Sequence, residues 1–366
     1  MGLTSSALLV SFVLGTLFLF AATVWAWPRL AGGSRGRVLG RIGLLLVVQV
    51  FLFSSVGLGV NRSLLIYGSW SDLTSGQKGQ AAGPGGVAVE VLKRQAPDVP
   101  GAGNPANAGL IEKVTVHGER SGIASQAYVY LPPEYFQKGG EQRKFPAAVV
   151  LTGYPGTAEN LLKGLRFPRT AWTKVKQKKM QPMILVMMRP TVVPENTQCV
   201  DVAGGGAKSE TFFGTDVPKA ISSFYRVGGT AANWGIIGDS TGGYCALKMT
   251  VQHPETYAVG VGLSADYKPE IDAYSGDLFR GNKAEEQRSD LMWHLDHRPQ
   301  GKVSLLVTTS LKGEPNYQAT QEFIRKVKAP SRVSSITLDR GGHSFNTWNR
   351  EIPPALEWMG ARLTAG

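Results

Sequence analysis

From Met1 to Trp27 no side chain is charged, and the run Ala7–Trp27 is almost wholly apolar, long enough to cross a bilayer as a helix. A second uncharged run extends from Ile42 to Val60, bracketed by Arg41 and Arg62. The pattern predicts a membrane anchor over residues 1–67 with two transmembrane helices, at 7–27 and 42–60. A signal peptide is the competing reading of the first run. The missing basic n-region, the missing small-residue cleavage site and the second span all speak against it. The connection between the two runs carries Arg29, Arg35, Arg37 and Arg41, whereas no basic residue precedes the first run and only Arg62 lies between the second and Lys78. Basic loops stay on the cytoplasmic side. Everything after the second helix is therefore expected outside the cytoplasm. Trp25, Trp27, Tyr67 and Trp70 stand near the helix ends, where interfacial aromatics belong.

Residues 68–110 are rich in Gly, Ala and Pro, as in Ala81-Ala82-Gly83-Pro84-Gly85-Gly86, and read as a flexible tether. From residue 111 to 366 the pattern changes to short β-rich runs alternating with helical stretches. Strands are expected at Val114–His117, Gln126–Leu131, Ala147–Thr152, Met183–Met188, Trp234–Ile237, Ala258–Leu263, Val303–Thr309 and Ser334–Leu338. The middle ones are continuous apolar runs, which suits strands covered on both faces. Helices are expected at Thr241–Gln252, at Tyr317–Lys328, and from Pro218 to about Arg226. Such alternation means an α/β class domain with a mostly parallel sheet flanked by helices, whose site lies at the carboxyl ends of the strands.

The net charge of +12 gives a basic surface. It would suit an anionic membrane or wall polymer, or simply a well-solvated exterior. No interleaving of Arg with aromatic residues marks a nucleic-acid platform, so nucleic acid is not an expected partner. Two cysteines, Cys199 and Cys245, are too few for a disulfide framework or a four-cysteine zinc site. They would stay unpaired in a reducing compartment and form one bridge in an oxidising one.

The strand Trp234–Ile237 runs directly into Gly238-Asp239-Ser240-Thr241-Gly242-Gly243 and then into the helical stretch Tyr244–Gln252. This is the strand–turn–helix setting that a G-x-S-x-G nucleophile turn requires. The glycines leave room for a strained turn that lifts the serine hydroxyl above the sheet, at a helix N-terminus whose dipole favours negative charge. The plainer alternative is a glycine-rich turn with a solvated serine. Position and context favour Ser240 as the nucleophile.

A serine needs a base, and the histidines are His117, His253, His294, His297 and His343. His343, in Gly341-Gly342-His343-Ser344-Phe345, follows the last expected strand, where the order Ser…acid…His puts the base. His253 is expected to cap or pack, His117 to be structural, and the His294/His297 pair, with no third ligand in view, to lie on the surface. The acid belongs after Val303–Thr309, where Glu314 is the only carboxylate of the loop; Asp266, Asp277 and Asp339 compete. Its task is to hold the imidazole tautomer and stabilise the imidazolium. The oxyanion donors are expected to be the backbone N–H of Thr241 and of Tyr154, with Gly153 second. Gly204-Gly205-Gly206 follows no strand and reads as a surface turn rather than a nucleotide loop.

The domain from about Glu112 onward resembles the esterase family of α/β hydrolases that holds esterase D, the enterochelin-type esterases and the secreted mycolyltransferases of the antigen 85 type. The resemblance is carried by Gly238–Tyr244 with His253-Pro254, by Ser209-Glu210-Thr211-Phe212-Phe213 leading to Val217-Pro218, by Ser264-Ala265, and by His343-Ser344-Phe345 with Trp348. It implies the α/β-hydrolase fold and an acid in the loop of Glu314, where the mycolyltransferases use a glutamate. Thr152 stands where the mycolyltransferases carry an acidic sugar-binding residue, and the two apolar helices depart from a freely secreted enzyme. The expectation is a membrane-anchored, extracytoplasmic serine esterase or acyltransferase acting on a small-molecule or lipid ester through an acyl-enzyme, with no metal or organic cofactor. The alternative is a non-catalytic protein of the same fold that binds wall glycan or matrix protein. Cys199, after the strand Met183–Met188, and Cys245, on the nucleophile helix, lie on the same side of the expected sheet, so a bridge would tie that loop to the site.

Overall fold

The computed structural model describes residues 2–3, 5–64, 70, 80–81, 88–193 and 195–366. Tyr67, Lys78 and the Ala82–Gly86 stretch of the expected tether lie outside them. The chain divides into two compact units, Met1–Gly76 and Gln77–Gly366.

The first unit is a helical hairpin of α1 (Ser6–Ala26) and α2 (Arg35–Leu64). Ser5 caps α1 by accepting from the Leu8 N–H. Between the helices Thr16 and Ser55 share a hydroxyl contact of 3.2 Å, and the Phe12 and Phe51 rings lie 5.2 Å apart. Leu17, Phe18 and Phe53 point outward, fully apolar. Both helices are long and apolar enough to cross a membrane. The second begins earlier than its apolar run: Arg35, Arg37 and Arg41 stand on its first turns rather than in a loop, because nothing in that stretch breaks the helix. Arg29 stacks on Trp25 at 3.8 Å and Arg41 faces Trp27 at 5.8 Å, an aromatic and basic cluster at one end of the hairpin.

The second unit is built on one sheet. Its strands are β1 (Gln80–Ala81), β2 (Val89–Gln95), β3 (Leu110–His117), β4 (Ile123–Leu131), β5 (Ala147–Leu151), β6 (Ile184–Met188), β7 (Trp234–Asp239), β8 (Val259–Leu263), β9 (Ser304–Ser310) and β10 (Arg332–Leu338). The spatial order is β10-β9-β8-β7-β5-β6-β4-β3-β2, with β1 pairing β4 off that path. The pairs from β6 through β10 are parallel; those joining β1, β2, β3, β4 and β6 are antiparallel. The tether expected over 68–110 therefore needs correction, since β2 lies inside it. Only Val89 is fully buried on that edge strand, with Glu90, Lys93 and Arg94 exposed, so its apolar signal is faint.

Strands β5, β6 and β8 are buried on both faces, which is why their sequences carry no polar side chain. Val149, Val186 and Ile236 face α4 (Val217–Phe224), α5 (Thr241–Gln252) and α8 (Tyr317–Lys326). Val150, Met187 and Ile237 face α3 (Phe167–Lys176) and α9 (Phe345–Gly360). Each such side chain removed from water contributes about 1.5–3 kcal/mol. Two further helices, α6 (Lys283–Ser289) and α7 (Leu291–His297), lie between β8 and β9.

A charged network is buried in this layer. Lys248 on α5, with no exposed surface, donates to Glu210 at 2.6 Å and to the Cys199 carbonyl at 2.7 Å. Arg288 reaches the same carboxylate at 2.6 Å, and His253 lies 3.0 Å from its other oxygen. Burial alone would raise the Glu210 pKa, but Lys248, His253 and Arg288 together hold it well below the carboxylate range. His253 thus packs as expected. His294 does not: it is buried, and desolvation with Arg288 and Arg298 nearby pushes its pKa down to about 4. It lies between Trp293 and Leu295, on the face that α7 buries together with Leu291 and Leu295. His297 stays exposed, stacked on Trp293 with the ring centres 4.5 Å apart.

Candidate active site

β7 ends at the centre of the sheet, and Ser240 sits between it and the first turn of α5 with φ 54° and ψ −124°. A non-glycine residue held there stores backbone strain that the surroundings must enforce. They do so by crowding. A Cβ on Gly238 would lie 2.3 Å from the Gly242 carbonyl, and one on Gly242 would lie 2.5 Å from the Leu151 carbonyl oxygen. Only glycine fits at either position, so β7, α5 and the end of β5 close on one another and expel the serine side chain upward. The Ser240 N–H is fixed by the Leu263 carbonyl at 3.0 Å.

The Ser240 hydroxyl meets His343 Nε2 at 2.8 Å. On the far side of the ring, Nδ1 lies 3.6 Å from Glu314 Oε2, in ion-pair range but longer than a hydrogen bond; such contacts tighten when substrate binds. Trp348 holds the imidazole edge-to-face at 5.1 Å. The Glu314 carboxylate has no exposed surface, while the imidazole side chain keeps 42% of its exposure. Glu314 raises the His343 pKa above its ordinary value against the opposing effect of burial, and Asp266 and Asp239 add to it. The three residues of the expected triad are thus brought together. Of the competing acids, Asp266 acts on the imidazole through its field alone, and neither Asp277 nor Asp339 contacts it.

Four side chains, Ser264, Thr308, Glu351 and Asp239, complete the arrangement without having been assigned a role from sequence. Ser264, at φ 45° after β8, donates its hydroxyl to Glu314 Oε1 at 2.9 Å, and its N–H to Thr308 Oγ1 at 3.0 Å. Thr308 in turn donates to the buried Glu351 at 2.7 Å, whose pKa burial pushes up to about 7. Asp239, wholly buried next to the nucleophile, accepts from the Gly153 N–H at 2.9 Å; burial pushes its pKa up to about 7 as well. The Gly153 N–H is therefore committed to Asp239. Cys199 and Cys245, both buried, lie with sulfurs 2.17 Å apart, as a disulfide. Among the described residues no cluster of three or more His, Cys, Asp or Glu side chains is arranged to hold a metal.

A strained serine at the crest of a parallel sheet, bonded to a histidine backed by a buried carboxylate, defines a serine hydrolase of the α/β type. The model of the esterase family, described as "Putative esterase", matches residues 120–359, and the chain belongs to that family of serine carboxylic ester hydrolases. An uncharacterized protein of Corynebacterium glutamicum is 24% identical over 250 residues, covering 65% of this chain and 58% of that protein; the chain thus spans little more than half the length of that relative. Among solved structures, an S-formylglutathione hydrolase from Agrobacterium tumefaciens superposes with a TM-score of 0.58 at 16% identity, covering 75% of this chain and all of that one. A ferulic acid esterase gives 0.58 at 18% identity, covering 69% and 97%. The fluorophosphonate-binding serine hydrolase F of Staphylococcus aureus gives 0.55 at 18%, covering 69% and 98%. At these identities the likeness is one of fold.

Proposed function

We propose that this esterase works through Ser240, His343 and Glu314, and that it does so as a membrane-anchored enzyme outside the cytoplasm. The observation that carries the reading is the 2.8 Å contact between His343 Nε2 and a Ser240 hydroxyl held in a strained turn. His343 takes the hydroxyl proton as Oγ attacks the ester carbonyl; Glu314 holds the ring and stabilises the imidazolium. The tetrahedral oxyanion is received by the N–H groups of Tyr154 and Thr241 at the positive end of α5. Collapse expels the alcohol, which takes the proton from His343 and leaves an acyl-Ser240 ester. Water or an acceptor alcohol, deprotonated by the same histidine, then releases the acid or a new ester.

The anchor is α1 with α2. The cluster of Arg29, Arg35, Arg37 and Arg41 between the two apolar stretches supports a cytoplasmic connection and an exported catalytic unit. The paired Cys199 and Cys245 agree with an oxidising compartment.

The test is labelling of the detergent-solubilised chain with a fluorophosphonate probe, a chemistry that the Staphylococcus aureus relative is named for. Wild type labels and Ser240→Ala does not; equal labelling of both overturns the assignment. Orientation is read separately, by whether externally added protease reaches the catalytic unit in intact cells.

A further inference from the structure

The base and the acid both rest on α9, which reaches the site at three points. The Thr347 hydroxyl accepts from the N–H of Gly342, the residue before His343, at 3.0 Å. Trp348 holds the His343 ring edge-to-face at 5.1 Å. Glu351, one turn further on and with no exposed surface, accepts from the Thr308 hydroxyl at 2.7 Å. From Thr308 the path continues across the ends of β9 and β8. Its oxygen accepts the Ser264 N–H at 3.0 Å, and the Ser264 hydroxyl donates to Glu314 Oε1 at 2.9 Å. Every residue on this path is buried. It ends on the carboxylate whose other oxygen faces His343 Nδ1 at 3.6 Å.

Two of these residues are poor choices for folding alone. Ser264 stands at φ 45°, where a side chain is strained and glycine is not. Glu351 lies on the buried face of α9 beside Trp348, Ile352 and Ala355, where a leucine would pack without desolvating a carboxyl group. Its Oε1 is buried and accepts no hydrogen bond among the described residues. Burial, with the charge of Glu314 nearby, favours its neutral form. A strained serine and a buried carboxyl group, joined through one threonine and ending on the triad acid, are placed for a task other than folding.

We infer that Ser264, braced by Thr308 and Glu351, is a positioning residue that turns the Glu314 carboxylate toward His343. The inference rests on the proposed triad and adds what aims its acid. The physical reason is that the terminal torsion of a glutamate is broad, so no rotamer preference fixes the plane of its carboxylate. The Ser264 hydroxyl holds Oε1 and thereby presents Oε2 to the imidazole. Thr308 has a single hydroxyl hydrogen; given to Glu351, it leaves the oxygen to accept the Ser264 N–H. If a link is lost the carboxylate turns, and the imidazolium formed in the transition state loses its orientation and its counter-charge.

The test is steady-state hydrolysis of a short p-nitrophenyl ester across pH by the full chain in detergent, with end-point fluorophosphonate labelling of the same samples. Ser264→Ala is expected to lower kcat about tenfold or more, the scale of a hydrogen bond to a charged group. Its KM stays within about twofold, the signature of an interaction made in the transition state. The acidic limb of its pH profile moves to lower pH, because Glu314 no longer raises the His343 pKa in full. In a Glu314→Ala background the same substitution costs nothing further, since it acts through that carboxylate. Glu351→Leu removes only the acceptor behind Thr308 and loses about fivefold, the scale of a neutral hydrogen bond; Glu351→Gln keeps an acceptor oxygen and restores the rate. Ser264→Gly, unstrained at this φ, takes the place of Ser264→Ala should that variant not fold. A Ser264 variant with wild-type kcat and an unmoved limb overturns the inference. So does a loss that persists undiminished in the Glu314→Ala background, or a Glu351→Gln enzyme as impaired as Glu351→Leu. A Glu314→Ala enzyme with wild-type kcat strikes the acid assignment instead, and a wild type that does not label strikes Ser240.

Discussion

Replacing Glu314 by Gln keeps the shape of the side chain, and keeps an oxygen for the Ser264 hydroxyl to donate to, but removes the charge. That charge lies 3.6 Å from His343 Nδ1. At an effective dielectric of about 20, a protonated imidazole at that distance gains about 4–5 kcal/mol. Water reaches the imidazole, whose side chain is 42% exposed, so about half of that, ~2 kcal/mol, survives screening. The imidazolium forms in the transition state, so the loss falls on kcat and amounts to about 30-fold. Loss of the correct tautomer adds to it, with a ceiling near the ~10⁴-fold seen when a triad carboxylate becomes an amide. The pH profile supplies the sign. Glu314 raises the His343 pKa, and only the neutral ring acts as a base. Wild-type activity therefore rises through a pKa above the ordinary ~6.5, and in Glu314→Gln that limb moves to lower pH. The assay is kcat/KM for a p-nitrophenyl ester across pH, with Asp266→Asn alongside. A Gln variant with wild-type kcat and an unmoved limb refutes the reasoning; the same losses in Asp266→Asn instead move the acid to that residue.

Other outcomes follow from the same geometry. Asp239, with a pKa raised by burial to about 7, favours folding when protonated, so its contribution falls as pH rises from its unfolded value near 3.9 through about 7. Asp239→Asn escapes this, and its Tm advantage over wild type should open across that window, up to the equivalent of about 4 kcal/mol; an advantage independent of pH contradicts it. Cys199→Ser/Cys245→Ser releases a crosslink spanning a sequence separation of 46 and should cost roughly 4 kcal/mol in a denaturant titration, while maleimide should find no free thiol in the unreduced wild type. Gly242→Ala would set a methyl 2.5 Å from the Leu151 carbonyl oxygen and 2.7 Å from that of Thr152. Backbone cannot step aside, so a loss of about 3 kcal/mol or more and failure to label are expected; normal folding and labelling would show the turn to be looser than described.

The parallel core was legible because burial on both faces leaves nothing polar in strands such as Ala147–Leu151 and Val259–Leu263. The nucleophile turn was legible because close packing there demands glycines that sequence displays. What sequence hid depends on neighbours distant along the chain. Val89–Gln95 joins the sheet by pairing with β3 while exposing most of its side chains. His294 is buried by the packing of α7 with Leu291 and Leu295, a contact made only when that helix docks. Ser264 acquires its partner because β8 lies next to β9, and a positive φ on a serine leaves no trace in composition. The choice of Glu314 over Asp266 was open in sequence, and the 3.6 Å contact with Nδ1 is what favours it.

The most direct test of the account is to catch the acyl-enzyme. Full-length protein mixed with a slowly turning-over ester, quenched in acid and analysed by intact-mass and peptide mass spectrometry, should carry one acyl group on the peptide that contains Ser240, and Ser240→Ala should carry none. An acyl group on another residue, or ester turnover by Ser240→Ala at the wild-type rate, would contradict it.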